Sequence, residues 1–588
     1  MATLVPSGAR NRPAYNRAPP NLERNLERLS IAWRIIIVLA GLGHAWLYRY
    51  YLDPDGQAYL DITHAYLKKN WPEALSSYWS PLYSWLLAGF MAVLHPNLQW
   101  TIPITHLIIF LSYLAALAAW EFLLREWDQW LGPPADRILW RTAAYATFLW
   151  AGIHLVGLQF NSADMTVFAL TILIAALLIR VRRGAARWPE YIVLGLTLGL
   201  SFLAKAAAIS LIPPVVVALA AMSRRIVSSR MLVLLAVAIL VPTPFVIALS
   251  KSKGRFTLSD TGKLNYSWQV TGYGVEGYKE EALTPGPNIP HPLRVLFTNP
   301  RVLSFADHVV GSIPLHDDPT WWCQGYPVRF DRDRQFMILS NSAEYLAVIF
   351  LGAPALILFV AALCLGGTGR WWPILKNLWF LALLAAVPLA GYCAVYVLTR
   401  YIAGPLALLG LVAAAATWKL KLPTALRTCL LVAVPLVCAF VLRGDLWRVA
   451  QYTVQEAARS GRAPDYEEWQ YAEKLLDLGL RPGDRVAHIG FWMQSAWAGL
   501  IQAREIAVVP VHLGHDDTAL GRPLEMKLGN ALVFWKSDAA TQEKVLEIFR
   551  GTGARWVIAN YVPPWAKTSG WEKLGQDRFG NATFARRL

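Results

Sequence analysis

Residues 31–62, IAWRIIIVLAGLGHAWLYRYYLDPDGQAYLDI, place a run of carboxylates directly after an apolar stretch. The stretch 31–51 is long enough to cross a bilayer as a helix, which requires about 20 residues. Asp53, Asp55 and Asp61 follow at once, three carboxylates within nine residues. The pattern predicts a membrane helix that ends in a group of acidic side chains at one membrane surface.

The rest of the chain has the composition of a membrane protein. Of its 588 residues, 55% are hydrophobic and only 16% are charged, whereas a soluble domain has about 25% charged residues. These values exclude a soluble enzyme, a disordered chain and a collagen-like fibre. The net charge of +16 is explained by basic cytoplasmic loops, so no nucleic-acid partner is predicted.

The basic residues between the apolar stretches predict the topology. Clusters lie at 180–187, 224–230 and 419–427, and the N-terminal tail 1–30 is also basic. Arg and Lys concentrate on the cytoplasmic side, and all four segments fall there only if the short stretch 80–95 does not cross. We therefore expect 80–95 to form an interfacial or re-entrant helix on the outer face.

The predicted fold is mainly α, a polytopic transmembrane helix bundle of about eleven spans in residues 31–443. The spans are expected near 31–51, 101–123, 138–155, 165–181, 189–204, 206–222, 231–250, 345–366, 372–390, 393–417 and 428–443.

Three long segments lie outside the membrane in this topology: the outer loop 52–100, the large outer loop 251–344 and the tail 445–588. The tail alternates short apolar strands with helical periodicity. Its predicted strands are Arg485–Ile489, Ile506–Val511 and Arg555–Asn560. This alternation predicts a small, soluble, extracytoplasmic α/β domain in the tail.

The acidic motif of the first outer loop is the first candidate site. On a helix Asp55 and Tyr59 share a face, and a carboxylate at the membrane surface can remove a proton from an incoming hydroxyl. Paired carboxylates could instead hold a divalent cation. The alternative left open by the spacing is that Asp55 caps a helix while Asp53 and Asp61 are solvated. The aromatic residues nearby, Trp79 and Tyr83 among them, fit either a headgroup anchor or a sugar platform.

Three ionisable residues interrupt apolar stretches: Asp164, Lys205 and Arg400. Charged groups at such depths usually pair with one another or serve a site. A Lys and an Arg together suit a phosphate or diphosphate, and an ion pair that braces the bundle is the alternative. The loop motif His316-Asp317-Asp318 has no fixed metal-ligand spacing and favours a solvated loop.

These residues together resemble the GT-C superfamily of integral-membrane glycosyltransferases, which includes the protein O-mannosyltransferases and the lipid A aminoarabinose transferases. The shared features begin with a basic tail, one span and an outer loop that opens with Asp53-Pro54-Asp55-Gly56. The Ser-Pro-Leu-Tyr stretch at 80–83, Asp164, the Phe-Leu-Ala-Lys stretch at 202–205 and the pair Arg400-Tyr401 also match.

The resemblance implies transfer of a hexosyl or pentosyl group from a polyprenyl-phosphate donor on the non-cytoplasmic face, usually with inversion. It makes Asp55 the catalytic base, with Asp53 or Asp164 orienting the acceptor or a metal. Lys205 and Arg400, together with Tyr401, would hold the donor phosphate and stabilise it as the leaving group.

The same resemblance implies a lipid, glycan or protein acceptor, and we expect Tyr59, Asp61, Trp79 and Tyr83 to contact the acceptor or the sugar. It places the protein in the plasma (inner) membrane of the cell envelope, with a cytoplasmic N terminus and the C-terminal domain outside. Many relatives have Asp-Glu where this chain has Asp55-Gly56. The choice of base between Asp53 and Asp55, and any divalent cation held by these two residues and Asp164, therefore stay open.

Two other functions are the alternatives to a glycosyltransferase. A transporter or flippase for a lipid-linked saccharide would need the buried cations, but such carriers usually contain repeated halves, which the sequence lacks. A polysaccharide polymerase or ligase would place its Arg and His residues in the large outer loop. The chain contains no GxxxxGK[ST] motif, which disfavours an ATP-driven transporter.

Overall fold

The computed structural model describes most of the helical part of the chain and most of the C-terminal tail. The described residues are 20–131, 137–225, 227–271, 291, 293–305, 309–314, 319–322, 328–351, 372–419, 423–458, 468–491, 495–511, 529–576 and 581–588. The motif at 316–318 lies outside them, as do the N-terminal residues 1–19.

Helices dominate the described residues up to 458. They are α1 (Pro20–Leu47), α2 (Pro54–Leu67), α3 (Trp71–Ala74), α4 (Leu82–Leu94), α5 (Leu98–Leu131), α6 (Arg137–Leu149), α7 (Asp164–Arg182), α8 (Trp188–Ala204), α9 (Ile212–Ser223), α10 (Ser229–Leu240), α11 (Thr243–Lys253), α12 (Thr261–Tyr266), α13 (Pro319–Trp322), α14 (Arg332–Leu351), α15 (Trp372–Val395), α16 (Thr399–Lys419) and α17 (Thr424–Ala458).

Six of the described helices are long and apolar enough to cross a membrane, or seven if the bent pair α10–α11 forms one span. The predicted number of eleven is larger because it also includes α8 and α16, whose apolar parts are shorter than 18 residues. It further includes the predicted spans 138–155 and 345–366, and most of the latter lies outside the described residues. The chain is thus a multi-pass helical protein.

Helix α7 is the centre of the bundle. It packs along α5 and also contacts α8 and α16. Its side chains are buried on every side, as at Ile172, Ile174, Ala175 and Leu178, because it is apolar all round and therefore favours an interior position. Asp164 is its first residue, so α7 carries an acidic group to one end of the bundle.

The segment after α1 folds into three short helices, of which α2 and α4 pack together. Pro54 opens α2 at a position where the missing N–H costs nothing. Helix α4 covers the stretch 80–95 with 13 residues, too few to span a bilayer. It packs against α2, so the stretch lies beside the acidic motif.

A seven-stranded sheet forms in the second half of the chain. Its order is β1-β2-β4-β3-β5-β7-β6, with β3 parallel to both β4 and β5. The strands are β1 (Arg294–Thr298), β2 (Arg301–Ser304), β3 (Arg485–Gly490), β4 (Arg504–Pro510), β5 (Trp556–Val562), β6 (Glu572–Gln576) and β7 (Ala582–Arg587). The helices between them are α18 (Glu468–Asp477), α19 (Ala496–Leu500), α20 (Gly529–Lys536) and α21 (Ala539–Gly551).

Three of these strands, β3, β4 and β5, form where the tail sequence predicts strands. The edge strands β1 and β2 come instead from the large outer loop, and β2 pairs with β4 through Leu303 and Val508. The sheet therefore combines two segments separated by the helices α14–α17, whereas the sequence predicts a domain made from the tail alone.

Candidate active site

Arg400 gathers the acidic residues that the sequence singles out. Its guanidinium lies 2.6 Å from Asp55 Oδ2 through Nη2, 3.3 Å from Asp164 Oδ2 through Nε, and 3.8 Å from Asp53 Oδ2 through Nη1. Only 11% of its side chain is exposed. Asp53 and Asp55 precede Asp164 by more than 100 residues, and Arg400 follows Asp164 by more than 200. The cluster therefore exists only in the folded bundle.

Lys205 completes the cluster at a break between two helices. Helix α8 ends at Ala204, and Lys205 has an extended backbone before a short 3-10 turn continues the chain. Its Nζ lies 2.5 Å from Asp164 Oδ1 and 3.4 Å from the centre of the Tyr401 ring. Irregular backbone at such depth is tolerated where it borders a cavity or a site.

The N-termini of three helices point their first turns into this cluster. Asp55 lies in the first turn of α2, Asp164 begins α7, and Arg400 is the second residue of α16. Helix N-termini carry partial positive charge, which stabilises carboxylates and favours anions. A phosphate group bound here would interact with the side chains of Arg400 and Lys205 and with the partial positive charge of these helix N-termini.

Asp55 is the most accessible of the three carboxylates. Its side chain is 21% exposed, compared with 7% for Asp53 and 4% for Asp164. Asp55 lies inside the first turn of α2 and pairs with Arg400, so it does not cap the helix. Of the three, Asp55 is therefore the carboxylate best placed to meet an incoming acceptor.

Asp53 is held in place by the backbone before α7. Its Oδ1 accepts a hydrogen bond from the Asn161 N–H at 2.9 Å. Burial and the neighbouring charge of Asp55 raise the pKa of Asp53 to about 6.

Gly56 makes the approach of Asn161 feasible, because a Cβ at position 56 would collide with the Asn161 side chain. A glycine at position 56 thus has a steric reason.

Two supporting residues were not singled out by sequence reasoning. Ser162 donates a hydrogen bond to Asp164 Oδ2 at 2.8 Å. The ring nitrogens of His106 lie 2.9 Å from the Leu158 carbonyl and 2.7 Å from the Tyr51 carbonyl, which joins the two chain segments that carry Asp53 and Asp164. The available signal was a histidine inside an otherwise apolar segment of α5.

Two nitrogens of Arg400 have no hydrogen-bond acceptor within the described ranges. Nε and Nη1 are both buried, although carboxylates lie near enough for ion pairing. Leaving buried donors unsatisfied costs free energy, and such groups call for an explanation in a native structure. Anionic ligand oxygens between the carboxylates and Lys205 would supply the missing acceptors.

The predicted aromatic residues form one cluster beside α2. The Tyr59 ring lies 5.1 Å from Tyr83 and 5.2 Å from Trp79, centre to centre. Tyr59 and Tyr83 are buried, whereas Trp79 is half-buried and packs edge-on against Tyr78 at 4.8 Å. Tyr59 and Tyr83 therefore support the surface, and Trp79 is the member that a ligand can reach.

Asp61 faces away from Arg400. Its Oδ2 accepts hydrogen bonds from the backbone N–H and the hydroxyl of Ser312, at 2.8 and 2.6 Å. Burial raises the pKa of Asp61 to about 6. Gln57 also donates to the Ser312 hydroxyl at 2.6 Å, so this face of α2 is tied to the large outer loop.

The carboxylates do not form a metal-binding arrangement in the part of the chain that the structure describes. No group of three or more His, Cys, Asp or Glu side chains there could hold a metal ion. Instead, the guanidinium of Arg400 occupies the space among Asp53, Asp55 and Asp164. The donor set that the sequence allows for a divalent cation is thus engaged by an organic cation.

Comparison with protein-family models gives no match, and comparison with curated proteins gives none either. Among solved structures, ArnT from Cupriavidus metallidurans in the apo state is similar, with a TM-score of 0.50 and 12% identity, over 96% of this chain and 98% of that one. The same protein bound to undecaprenyl phosphate gives 0.50 and 13%, over 94% and 98%. An Archaeoglobus fulgidus oligosaccharyltransferase gives 0.38 and 13%, over 90% and 69%.

The likeness to ArnT extends over nearly the whole of both chains. At this identity it shows the fold alone, and it confirms the GT-C fold that the resemblance of the sequence implies.

Proposed function

We propose that this protein transfers a sugar from a polyprenyl-phosphate-linked donor to an acceptor hydroxyl on the outer face of the membrane. The observation that carries the proposal is the convergence of Arg400 and Lys205 with Asp55 at one site. An accessible carboxylate beside a guanidinium and an ammonium group is what a transfer from a phosphate leaving group needs.

Arg400 and Lys205 bind the donor phosphate in this proposal. Nε and Nη1 of Arg400 lack acceptors within the described residues, and a phosphate accepts hydrogen bonds from a guanidinium in two directions. Tyr401 lies under the Lys205 ammonium and keeps it directed toward the site. Asp164 holds both cations and so fixes the distance between them.

The chemical step transfers one proton to Asp55 and replaces one bond at the anomeric carbon of the sugar. Asp55 takes the proton of the acceptor hydroxyl, and that oxygen forms a bond to the anomeric carbon. The bond between this carbon and the phosphate oxygen breaks, and its electron pair stays on the polyprenyl phosphate. The phosphate thereby gains one negative charge, which Arg400 and Lys205 stabilise where it develops.

The supporting residues have separate roles. Asp53 stays beside Arg400 and orients it, since Asn161 holds this carboxylate and bulk water barely reaches it. Trp79, with Tyr59 and Tyr83 behind it, supplies an apolar face for the sugar or the acceptor. Asp61 acts at a distance from the reacting atoms by joining α2 to the outer loop.

The fold supports the nature of the donor. A protein of the same fold has been crystallised with undecaprenyl phosphate, and we extend that lipid class to this chain. We further propose about eleven spans with a cytoplasmic N terminus in the plasma (inner) membrane. In this topology the outer loops and the sheet lie outside and shape the site of a lipid, glycan or protein acceptor.

Purified protein in nanodiscs tests the proposal. Undecaprenyl phosphate should bind the wild type, and Lys205→Met should weaken that binding by about tenfold or more, while Lys474→Met, on the outer domain, should leave it unchanged. Mass spectrometry of membranes from cells that lack the protein identifies the sugar and the acceptor. No binding of undecaprenyl phosphate, together with an unaltered set of surface glycans, would overturn the proposal.

A flux assay separates the proposal from a flippase. A proteoliposome that carries the protein and a labelled lipid-linked saccharide should not move the label across the bilayer without an acceptor. Movement of the intact saccharide that survives Asp55→Asn would favour the flippase instead.

A further inference from the structure

Helix α14 touches the chain on both sides of the break that precedes Arg400. Ser342 donates a hydrogen bond to the Cys393 carbonyl at 2.9 Å, and Gln335 donates one to the Ala394 carbonyl at 2.8 Å. Both carbonyls belong to the last turn of α15, which ends at Val395. On the far side of the break, the Thr399 N–H donates to the Tyr345 hydroxyl at 3.2 Å.

These three bonds satisfy groups that a helix cannot satisfy by itself. The last carbonyls and the first N–H groups of any helix lack partners within the helix. Here both ends face each other across residues 396–398. Side chains of a third helix therefore cap the C-terminal end of α15 and the N-terminal end of α16.

The capping residues lie on one side of α14. Positions 335, 342 and 345 differ by seven and three residues, which places them along a single helical face. Ser342 is buried, whereas the other faces of α14 carry exposed groups such as Phe336 and Met337. The polar face of α14 is thus directed at the break.

We propose that α14 is the positioning element of the donor site, and that Gln335, Ser342 and Tyr345 fix the point where α16 begins and hence the guanidinium of Arg400. Arg400 follows Thr399 directly, so a shift of the first turn of α16 moves it relative to Asp55 and Asp164. This inference rests on the proposed function for its catalytic consequence, but the capping itself is independent of the reaction.

The same helix connects the site to the large outer loop. The Tyr266 hydroxyl donates to Gln335 Oε1 at 3.3 Å, and the neighbouring Asn265 donates to the Tyr78 hydroxyl at 3.4 Å. Tyr78 packs on Trp79. A path of hydrogen bonds and ring contacts therefore runs from the aromatic cluster through Gln335 to the break.

Labelling of Cys393 tests the capping without any substrate. Cys393 is partly exposed. For this experiment the other four cysteines are replaced by Ala or Ser, so that only the Cys393 thiol reacts. Ser342→Ala combined with Tyr345→Phe should raise the rate of reaction with N-ethylmaleimide by about fivefold or more, because opening of the capped ends exposes the thiol. Ser340→Ala, an exposed serine of the same helix, is the matched control and should leave the rate unchanged.

Kinetics and lipid binding test the consequence for Arg400. Tyr345→Phe should lower kcat by about tenfold, since small misplacements of a charged group are costly to a reaction, and should leave the KM of the acceptor unchanged. Binding of undecaprenyl phosphate should weaken in parallel. Size-exclusion chromatography verifies that each variant remains folded.

The outcomes separate the two proposals. If the Ser342→Ala and Tyr345→Phe double variant leaves the labelling rate of Cys393 unchanged, the positioning role of α14 is overturned, regardless of kcat and lipid binding. Increased labelling with unchanged kcat and unchanged lipid binding also overturns it, because the break would then open without moving Arg400. Absence of lipid binding in the wild type, with increased labelling in the variant, overturns the proposed function and leaves the capping established.

Discussion

The two ends of helix α7 carry charge clusters that differ in design. At its N-terminal end Asp164 faces Arg400 and Lys205. At its C-terminal end Arg180 contacts Glu126 at 2.8 Å and Glu190 at 3.1 Å. Both clusters place charges within an apolar bundle, so the comparison separates charges that brace a membrane protein from charges that serve a site.

The C-terminal cluster is internally balanced. Glu126 is 3% exposed, and both of its oxygens are engaged by arginines, Arg180 and Arg183. Arg180 is 32% exposed, so its charge also reaches solvent. This arrangement joins α5, α7 and α8 and leaves the carboxylate with no unsatisfied oxygen.

The N-terminal cluster is arranged differently. Arg400 is enclosed together with Asp53 and Asp164, and two of its nitrogens lack hydrogen-bond acceptors within the described residues. Three carboxylates surround it, so acidic groups outnumber the two cations. A guanidinium with unsatisfied donors is poor bracing, and these two donors are the ones that the proposed phosphate would engage.

The largest effect expected from this comparison is on Asp55. Asp55→Asn should reduce kcat by about 10³-fold, within the range of about 10²–10⁴ for a general base, because the amide cannot accept the acceptor proton. Initial rates of sugar transfer measure this loss. Asp53→Asn is the matched control and should cost far less; equal losses for the two variants would remove the distinction between base and orienting group.

Arg400→Gln should reduce kcat by about 10²–10³-fold, the usual cost of losing one charge-stabilising donor. Arg183→Gln at the other end of α7 removes an arginine of the balanced cluster and should leave kcat within about twofold. Transfer rates and lipid binding are measured on both variants. A comparable loss of rate in Arg183→Gln would contradict the assignment of the site to the N-terminal end of α7 and of a bracing role to its C-terminal end.

Glu126→Gln should act on stability instead of turnover. It leaves Arg180 and Arg183 without their shared carboxylate, and removing one partner of a buried ion pair costs about 3–5 kcal/mol in unfolding free energy. Thermal unfolding in detergent should show a lower midpoint, while kcat at low temperature stays near that of the wild type. Unchanged stability would mean that the C-terminal cluster does not brace the bundle.

The smallest effect concerns the face of α2 opposite Arg400. The pKa of Asp61 is raised from 3.8 to about 6, so its protonated form is favoured in the folded protein. Its contribution to stability is full below pH 3.8 and is lost as the pH rises through about 6. The unfolding free energy of the wild type relative to Asp61→Asn should therefore fall between pH 4 and pH 7, by up to about 3 kcal/mol. Unfolding midpoints of both proteins across this range provide the measurement, and a constant difference would contradict the prediction.

Much of the architecture could be predicted from the sequence because it depends on local patterns. Apolar length predicts membrane helices, and the short stretch 80–95 indeed forms a helix too short to span. Alternating apolar residues predict β3, β4 and β5. The origin of β1 and β2 was missed, since Arg294–Thr298 and Arg301–Ser304 are short and mostly lack a distinctive pattern, and their place is fixed by pairing with a strand some 200 residues later.

The site was predictable to the level of residue type. Asp164, Lys205 and Arg400 stood out because ionisable groups are rare in apolar stretches. Asn161, His106 and the capping residues of α14 did not, because neutral polar side chains are common and their partners here are backbone groups of distant segments. Asp61 resembled the other acidic residues of its loop, and only its contact with Ser312 separates it from them.

By itself the sequence determined that this chain is a multi-pass membrane protein with a few rare charges, because hydropathy and composition are properties of single segments. The tertiary structure alone decided that Arg400 lies among three carboxylates, which of them is accessible, and that α14 caps the break before α16. These facts depend on distances between side chains from segments hundreds of residues apart. Such distances follow from packing of the whole bundle, and local periodicity does not encode them.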